Sequence, residues 1–552
     1  MENDRLLDSQ SLEPKKNNWK KEIIIGSIAV VLIIAVIVLL IILGASSSGG
    51  NDENFGTINC TYQIEKENVE TQIISDSYDD KSANFDIYIE DKKIEYSKKY
   101  KFEKAKTYNI QYKLKGDLNI DNMFKDITTL INIDINHEGN NKVKIKSMKE
   151  TFENCVNLID FKIKGFDISE IKSFHKLFYN NEKLSNVLFN NFENNNIEDI
   201  SYMFAECSSL SQLNFANFDT KNTLDMSFMF QNCTNLKDLN LNNFSIEKAI
   251  NMAYMFDNCN SLISLDLSNF KNTNAKNMTY MFNNCLSLKE LKMDNIESSN
   301  IINDMSYMFY NCESLSSLSI KNWKIPQVED ISHMFDSCKS LSNLDISNFN
   351  SKVNKMSYLF YSCSELQNIK LTFDGSSITD MSYLFAQCKN LLEVDLSVIK
   401  AENLESIENM FLGCENLNNL KLFNLDKNKI KNMNSLFKGS KSLTSIDISQ
   451  MDLSLVEDMS YMFADCPFLK SIKLPNLKSS NLKDISNMFE NDYLLESLNL
   501  EQFEVDNIIN MKEMFKNCKN IISIDFSSFK TNSVTNMAGL LQGCEKLKEL
   551  KI

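Results

Sequence analysis

An α/β solenoid, preceded by a small β module and one transmembrane helix, is the architecture that three features of the sequence predict. The first is a 26-residue period. Phenylalanine recurs at 152, 178, 204, 230, 256, 282, 309, 335, 360, 385, 411, 437, 463, 489 and 515. A degenerate unit at Phe124 and a last one with Leu541 in the Phe position bring the number of units to 17. A fixed period of this length marks a repeat architecture, in which each unit contacts its neighbours alone.

The second feature is a pair of apolar spacings inside every unit. Met226, Met229, Phe230 and Cys233 are spaced 3, 1 and 3, the pattern of one helical face, whereas Leu239 and Leu241 are spaced 2, the pattern of an inward strand face. Each unit therefore reads as a short helix, a strand and a return. Neither element buries its apolar side alone, so units must stack, and their strands form one parallel sheet. At about 4.8 Å per rung that sheet is on the order of 80 Å long.

Around each Phe the offsets repeat. Met or Ile stands four before it (Met226, Met252, Met278, Met305, Ile331) and Tyr often two before it (Tyr202, Tyr254, Tyr280, Tyr307, Tyr358, Tyr383, Tyr461). Cys stands three after, Leu six after, and an L-x-L pair at nine and eleven after, as in Leu265 with Leu267. Units such as DMSFMFQNCTNLKDLNLNNF (225–244) and DISHMFDSCKSLSNLDISNF (330–349) carry all of these. The pattern resembles the BspA-type leucine-rich-repeat surface proteins over roughly residues 120–552. That resemblance implies a leucine-rich-repeat-like solenoid with adhesion or ligand-binding roles at a cell surface, and it supplies no ligand.

The third feature is Ile23 to Leu43, 21 residues without a charge, about 30 Å as a helix and thus the thickness of a hydrocarbon core. Lys15, Lys16, Lys20 and Lys21 precede it, and the following Gly44 to Asn54 carries only acidic charge. The positive-inside rule then predicts a type II, single-pass protein: cytoplasmic tail 1–22, transmembrane helix 23–43, linker 44–54, and all later residues extracellular or lumenal. The competing reading is a cleaved signal peptide, since Gly44, Ala45 and Ser46 are small, but the apolar run exceeds the usual 7 to 15 residues or so of such a peptide. In the tail, Leu6 and Leu7 after Glu2 resemble an acidic dileucine sorting signal.

Residues 55–118 lack the period and alternate instead, as in Ile58-Cys60-Tyr62-Ile64 and Tyr108-Ile110-Tyr112-Leu114, which predicts an antiparallel β-rich cap before the solenoid of 119–552. At Ile552 the chain stops inside a strand, so an open edge is expected there, which invites pairing with another copy.

Composition narrows the function. A net charge of -16 and a single arginine, Arg5, disfavour nucleic acid and other polyanions. Three histidines and no Gly-rich phosphate loop offer no convergence of nucleophile, base and electrophile, so no enzyme and no cofactor is expected. Thirteen of the 14 cysteines share the offset three after the Phe, among them Cys207, Cys233, Cys259, Cys285, Cys312, Cys338, Cys363 and Cys388. Placed one per unit, they read as a ladder of buried thiols, with oxidation of neighbours as the alternative, and no C-x-x-C pair suggests zinc. Glycosylation sequons begin at Asn59, Asn232, Asn243 and Asn277.

Between the two inward residues of each strand lies one outward residue, and along the array these include Asp266, Lys292, Asp345, Lys370, Asp395, Lys421, Asp447 and Lys473. Two readings remain open. The row is a self-neutralising charge ladder, or it is the platform on which a ligand lies. In the second case the partner is a protein surface or a neutral glycan, because the alternating signs offer no net field. The expected function is that of a membrane-anchored surface binding or adhesion protein at the plasma membrane or an endomembrane. The alternative is a structural coat protein that self-associates through its solenoid edges.

Overall fold

Two hydrogen-bonded ladders, one on each side of a phenylalanine spine, organise the computed structural model of this chain. It describes residues 55–552 apart from 140–141, 190–195, 216–217, 272, 295, 298–301, 321, 326–327, 347–352, 373 and 424–428, all within a unit spanning Asn54–Ile552. The expected tail, transmembrane helix and linker lie outside the described residues. Among the described residues no helix is long and apolar enough to cross a membrane.

The first residues form β1 (Thr57–Gln63), β2 (Glu70–Gln72), β3 (Phe85–Ile89), β4 (Lys92–Ile94), β5 (Lys99–Lys101) and β6 (Thr107–Leu114). β1, β6, β3 and β4 pair antiparallel in that order, and β2 pairs with β5. Alternation places Ile58, Cys60 and Tyr62 inside. The chain then enters the repeats through β7 (Leu118–Asn119), β8 (Leu130–Asn136), β9 (Ile145–Ser147), β10 (Asp160–Lys164) and β11 (Asn186–Phe189). β1 pairs antiparallel with β8, and β10 and β11 follow in parallel, so module and solenoid share a seven-stranded sheet. The Ser75 amide donates to the Met123 carbonyl at 2.8 Å, which closes the turn of the first unit. The module thus covers edge groups that would otherwise be unpaired.

Later units continue with β12 (Gln212–Asn214), β13 (Asp238–Asn240), β14 (Ser264–Asp266) and β15 (Glu290–Lys292), and equivalent strands recur to Glu549–Lys551. Every described pairing among them is parallel and in register, for example Asp395 with Lys421 and Asp447 with Lys473.

The α part of the expected α/β solenoid is not what forms. Among the described residues the only helical pieces are two three-residue 3₁₀ turns, Asp80–Ser82 and Thr531–Ser533, so the array is a β-solenoid. The reason lies in the backbone. In the unit of Phe256, Tyr254 and Asn258 each have φ of 58°, and the same two positions take the left-handed conformation in unit after unit. That alternation points the amides of Met252, Tyr254, Phe256 and Asn258 outward along the axis. They donate to the carbonyls of Asn277, Thr279, Met281 and Asn283 of the next unit at 2.8 to 3.1 Å. A spacing of 3, 1 and 3 therefore buries Met, Phe and Cys through tight turns, closed within the unit by bonds such as that from the Cys259 amide to the Phe256 carbonyl at 3.1 Å, whose alternate amides bond to the next unit.

The Phe residues stack from 124 to 515, with ring centroids 5.2 to 5.9 Å apart. Beside this spine lie the thiols. All 14 cysteines are free, and Cys207, Cys233, Cys259, Cys285, Cys312, Cys338, Cys363 and Cys388 are buried. Each of these eight donates its thiol to the carbonyl of the Phe one unit earlier, as Cys233 does to Phe204 at 3.1 Å and Cys388 to Phe360 at 3.0 Å. Burial pushes their pKa values up, which keeps the thiols protonated and unreactive. Cys544, in the last unit, is only half-buried. Expected, then, is that a maleimide reagent alkylates Cys544 of the folded full chain first, and the buried thiols only on denaturation; equal labelling of Cys285 in the native state would contradict the ladder.

Candidate functional site

The outward side of the strands is the surface on which a ligand could lie. In each strand the middle residue points in, as for Leu265 and Val394, each 3% exposed. The residues before and after it point out, so parallel in-register pairing builds two rows of side chains along the array.

From Asp266 onward the second row satisfies itself. Lys292 approaches Asp266 at 3.9 Å, Lys421 reaches Asp395 at 2.8 Å and Lys473 reaches Asp447 at 3.0 Å. Asp345 stands in register with Lys370. Each of Asp266, Asp395 and Asp447 also accepts from the backbone amide and hydroxyl of the serine two residues on, Ser268, Ser397 or Ser449. The carboxylate thus shapes the turn that leaves the strand. Lys421 first and Ser397 second hold the Asp395 carboxyl down to about 2, and Ser449 followed by Lys473 does the same for Asp447. These groups are exposed, so the pairs add little to stability. Their geometry fits the self-neutralising reading of the row.

The row changes character toward the N-terminal side. Lys162 and Leu188 occupy the outward place in β10 and β11, and Asn240 in β13. Leu188 is 46% exposed. Here β11 ends the seven-stranded sheet, β12 and β13 form their own pair, and β14 begins another sheet, just as the later strands fall into groups of two to four. Over this stretch lies a groove of about 710 Å³, lined by Lys162, Asn186, Leu188, Gln212, Asp238 and Asn240 among others. That volume falls in the range of ligand sites. Among the described residues the side chains of Gln212 and Asp238 have no hydrogen-bond or ion-pair partner. Asn186 donates to Asp160 at 2.6 Å, which leaves its carbonyl oxygen available.

Sequence reasoning singled out the charged row from Asp266 to Lys473 and passed over this groove. Its signal was available: the outward places flanking the inward residue lose their alternating charge before Asp266. The groove contains Asp266 at its far edge and none of the other seven charged-row residues named from the sequence.

A second row, half-buried, is aromatic. Tyr202, Phe228, Tyr254, Tyr280, Tyr307, His333, Tyr358 and Tyr383 stack with centroids 4.4 to 4.7 Å apart and planes within 11°. Their faces cover one another, so the row offers edges and hydroxyls rather than a stacking platform. His333 is held there by Asp336, 2.8 Å from Nδ1.

The sequon asparagines differ. Asn59 donates to Thr57 and accepts from Gln111, and Asn232 donates to Glu206. Asn277 accepts from the amide and hydroxyl of Thr279. Asn243 is exposed.

Comparison with known proteins gives one broad match. The family described as Mycoplasma protein of unknown function, DUF285, matches at 118–236, 211–303, 289–392, 354–473, 379–497 and 468–551. No curated protein matches the chain. Among solved structures, a leucine-rich repeat protein from Bacteroides ovatus is similar at 18% identity, covering 74% of this chain and 91% of its own, with a TM-score of 0.37. The Leptospira interrogans leucine-rich repeat protein LIC12759 is similar at 15% identity, covering 71% and 88%, with a TM-score of 0.23. The functional domain of InlJ from Listeria monocytogenes, whose description includes a cysteine ladder, is similar at 14% identity, covering 70% of each chain, with a TM-score of 0.19. Overlaps this shallow carry no argument about function.

Proposed function

We propose a recognition role on the premise that this chain belongs to the DUF285 family: it is a membrane-anchored surface protein that binds through the outward face of its sheet and performs no catalysis. The observation that carries the reading is the groove over β10 to β14, where exposed Gln212, Asp238 and Leu188 stand in place of ion pairs such as Asp395 with Lys421 farther along the face. Surface display rests on the apolar run 23–43 with its preceding lysines and on the resemblance of the units to BspA-type surface repeats. An extended concave or flat sheet is the surface by which solenoids commonly engage partners, whether protein or glycan.

The test is labelling of intact cells that express the full chain with a membrane-impermeant amine reagent. Expected is modification of exposed lysines such as Lys421 and Lys473 without permeabilisation, with Lys15 and Lys16 protected. Modification of the repeats only after permeabilisation would overturn the reading.

A further inference from the structure

We infer that the groove over β10 to β14 holds a linear, uncharged oligosaccharide lying along the solenoid axis, an inference that rests on the recognition reading above. Three observations lead there. The first is spacing. Asn186, Gln212, Asp238 and Ser264 occupy the same outward place in four successive rungs, with Gln212 in register with Asp238. Adjacent strands are about 4.8 Å apart, so a ligand running along the axis meets an equivalent side chain at that step. An extended peptide presents same-side residues about every 6.7 Å and falls out of step. A chain of pyranose rings repeats by one ring over nearly the rung distance.

The second observation is the chemistry of the lining. A primary amide combines two donors with an acceptor, and a carboxylate accepts through two oxygens, so Gln212 and Asp238 match the paired donor and acceptor character of neighbouring sugar hydroxyls, while Asn240, whose Oδ1 accepts from the Asn242 amide at 3.0 Å, adds its two N–H donors. Leu188, 46% exposed on the same floor, gives the C–H face of a ring an apolar contact.

Charge is the third. Within the groove Lys162 and Asp238 carry opposite signs, while Asp266 at its edge is already engaged by Ser268 and approached by Lys292. No arginine is available to grip a carboxylate or phosphate, since the only one in the chain is Arg5. A uronate or sulfated polymer is therefore a poor fit and a neutral glycan a good one.

The test uses the full chain in lipid nanodiscs and immobilised linear hexasaccharides of β-1,4-glucose, β-1,3-glucose, α-1,6-mannose and β-1,4-N-acetylglucosamine. Expected is saturable binding of at least one. Leu188→Asp and Gln212→Ala should each weaken it about tenfold or more, which is the loss of one good contact. Lys421→Ala, on the self-paired part of the face, should leave it within about twofold, and unchanged thermal unfolding of the variants shows that folding is intact. Binding to none of the four, or binding indifferent to Leu188→Asp and Gln212→Ala, overturns the inference. Capture of a protein ligand at Leu188 with no sugar binding also overturns it while leaving the recognition reading in place. The intact-cell labelling above bears on that reading and not on the oligosaccharide.

Discussion

Phe309→Ala should lower the stability of the chain by about 3 to 5 kcal/mol. Phe309 is fully buried, with Phe282 stacked 5.5 Å to one side and Phe335 5.4 Å to the other. Removing the ring leaves a cavity that neither neighbour can fill, because each is held by its own unit. In a solenoid, stability is close to a sum of unit and nearest-neighbour terms, so the deletion breaks two interfaces at once. Guanidinium unfolding of the full chain should move to lower denaturant and separate into two steps, one for the rungs on each side. Phe468→Ala, at a side chain 55% exposed, should change stability by less than about 0.5 kcal/mol. A cost at Phe309 below about 1 kcal/mol would mean that the spine is not what holds the units together.

Asp492→Cys should stabilise the chain at neutral pH by on the order of 2 kcal/mol. Asp492 stands in the thiol position of its unit, fully buried, with Oδ1 accepting from the Cys466 amide at 3.0 Å and Oδ2 without a partner. In the neighbouring units that position donates to a Phe carbonyl, as Cys466 does to Phe437 and Cys518 to Phe489, both at 3.1 Å. Ser440 keeps the bond to Phe411 at 3.3 Å, whereas a carboxylate has no proton to give. Burial, which outweighs the hydrogen bond from the Cys466 amide and is reinforced by nearby Asp465, pushes the Asp492 pKa well above the carboxylate range. The sign follows from linkage. An unfolded Asp titrates near 3.9, so below about pH 4 both states are protonated and the penalty is smallest. As pH rises through the unfolded value toward the raised folded one, the folded state must either hold a proton or bury a charge, and stability declines. The gain from Asp492→Cys should therefore grow between about pH 4 and neutrality in chemical unfolding. A gain that is flat with pH would show that the carboxyl is not the cause.

Much of this architecture is legible in the residues because burial writes itself into spacing. The recurrence of Phe and the inward pairs such as Leu265 with Leu267 locate the spine and the strands, since those positions have no other place to go. The helix was illegible for a physical reason. Spacings of 3, 1 and 3 place Met226, Met229, Phe230 and Cys233 together on a helix, and equally on turns that alternate right- and left-handed backbone. Asn at the second left-handed position, in Asn154, Asn180, Asn232, Asn258, Asn284 and Asn311, is the residue type that tolerates it and was the available clue. Tyr at the first, such as Tyr254, gives no such hint. Only the ladder of amides running to the next unit explains why it is held there. The cysteines show their shared position in the sequence, but not that each thiol donates to a phenylalanine carbonyl.

For the candidate site, the register of the Asp and Lys row is legible, because in-register pairing follows from a constant period. What spacing does not reveal is that Asp266, Asp395 and Asp447 are already occupied by the serine two residues on. Nor does it reveal that, among the described residues, the side chains of Gln212 and Asp238 have no such partner. Both depend on hydrogen-bond geometry rather than on burial, and together they shift attention from the charged part of the face to Leu188, Gln212 and Asp238.

Hydrogen–deuterium exchange of the full chain in nanodiscs, with and without the oligosaccharide it binds, tests most directly that recognition runs through this part of the sheet. Protection confined to peptides spanning Asp160–Lys164, Asn186–Phe189 and Asp238–Asn240, with none over Asn419–Lys421 or Ser471–Lys473, is the result expected. Protection over those later strands instead, or nowhere on the sheet, would contradict it.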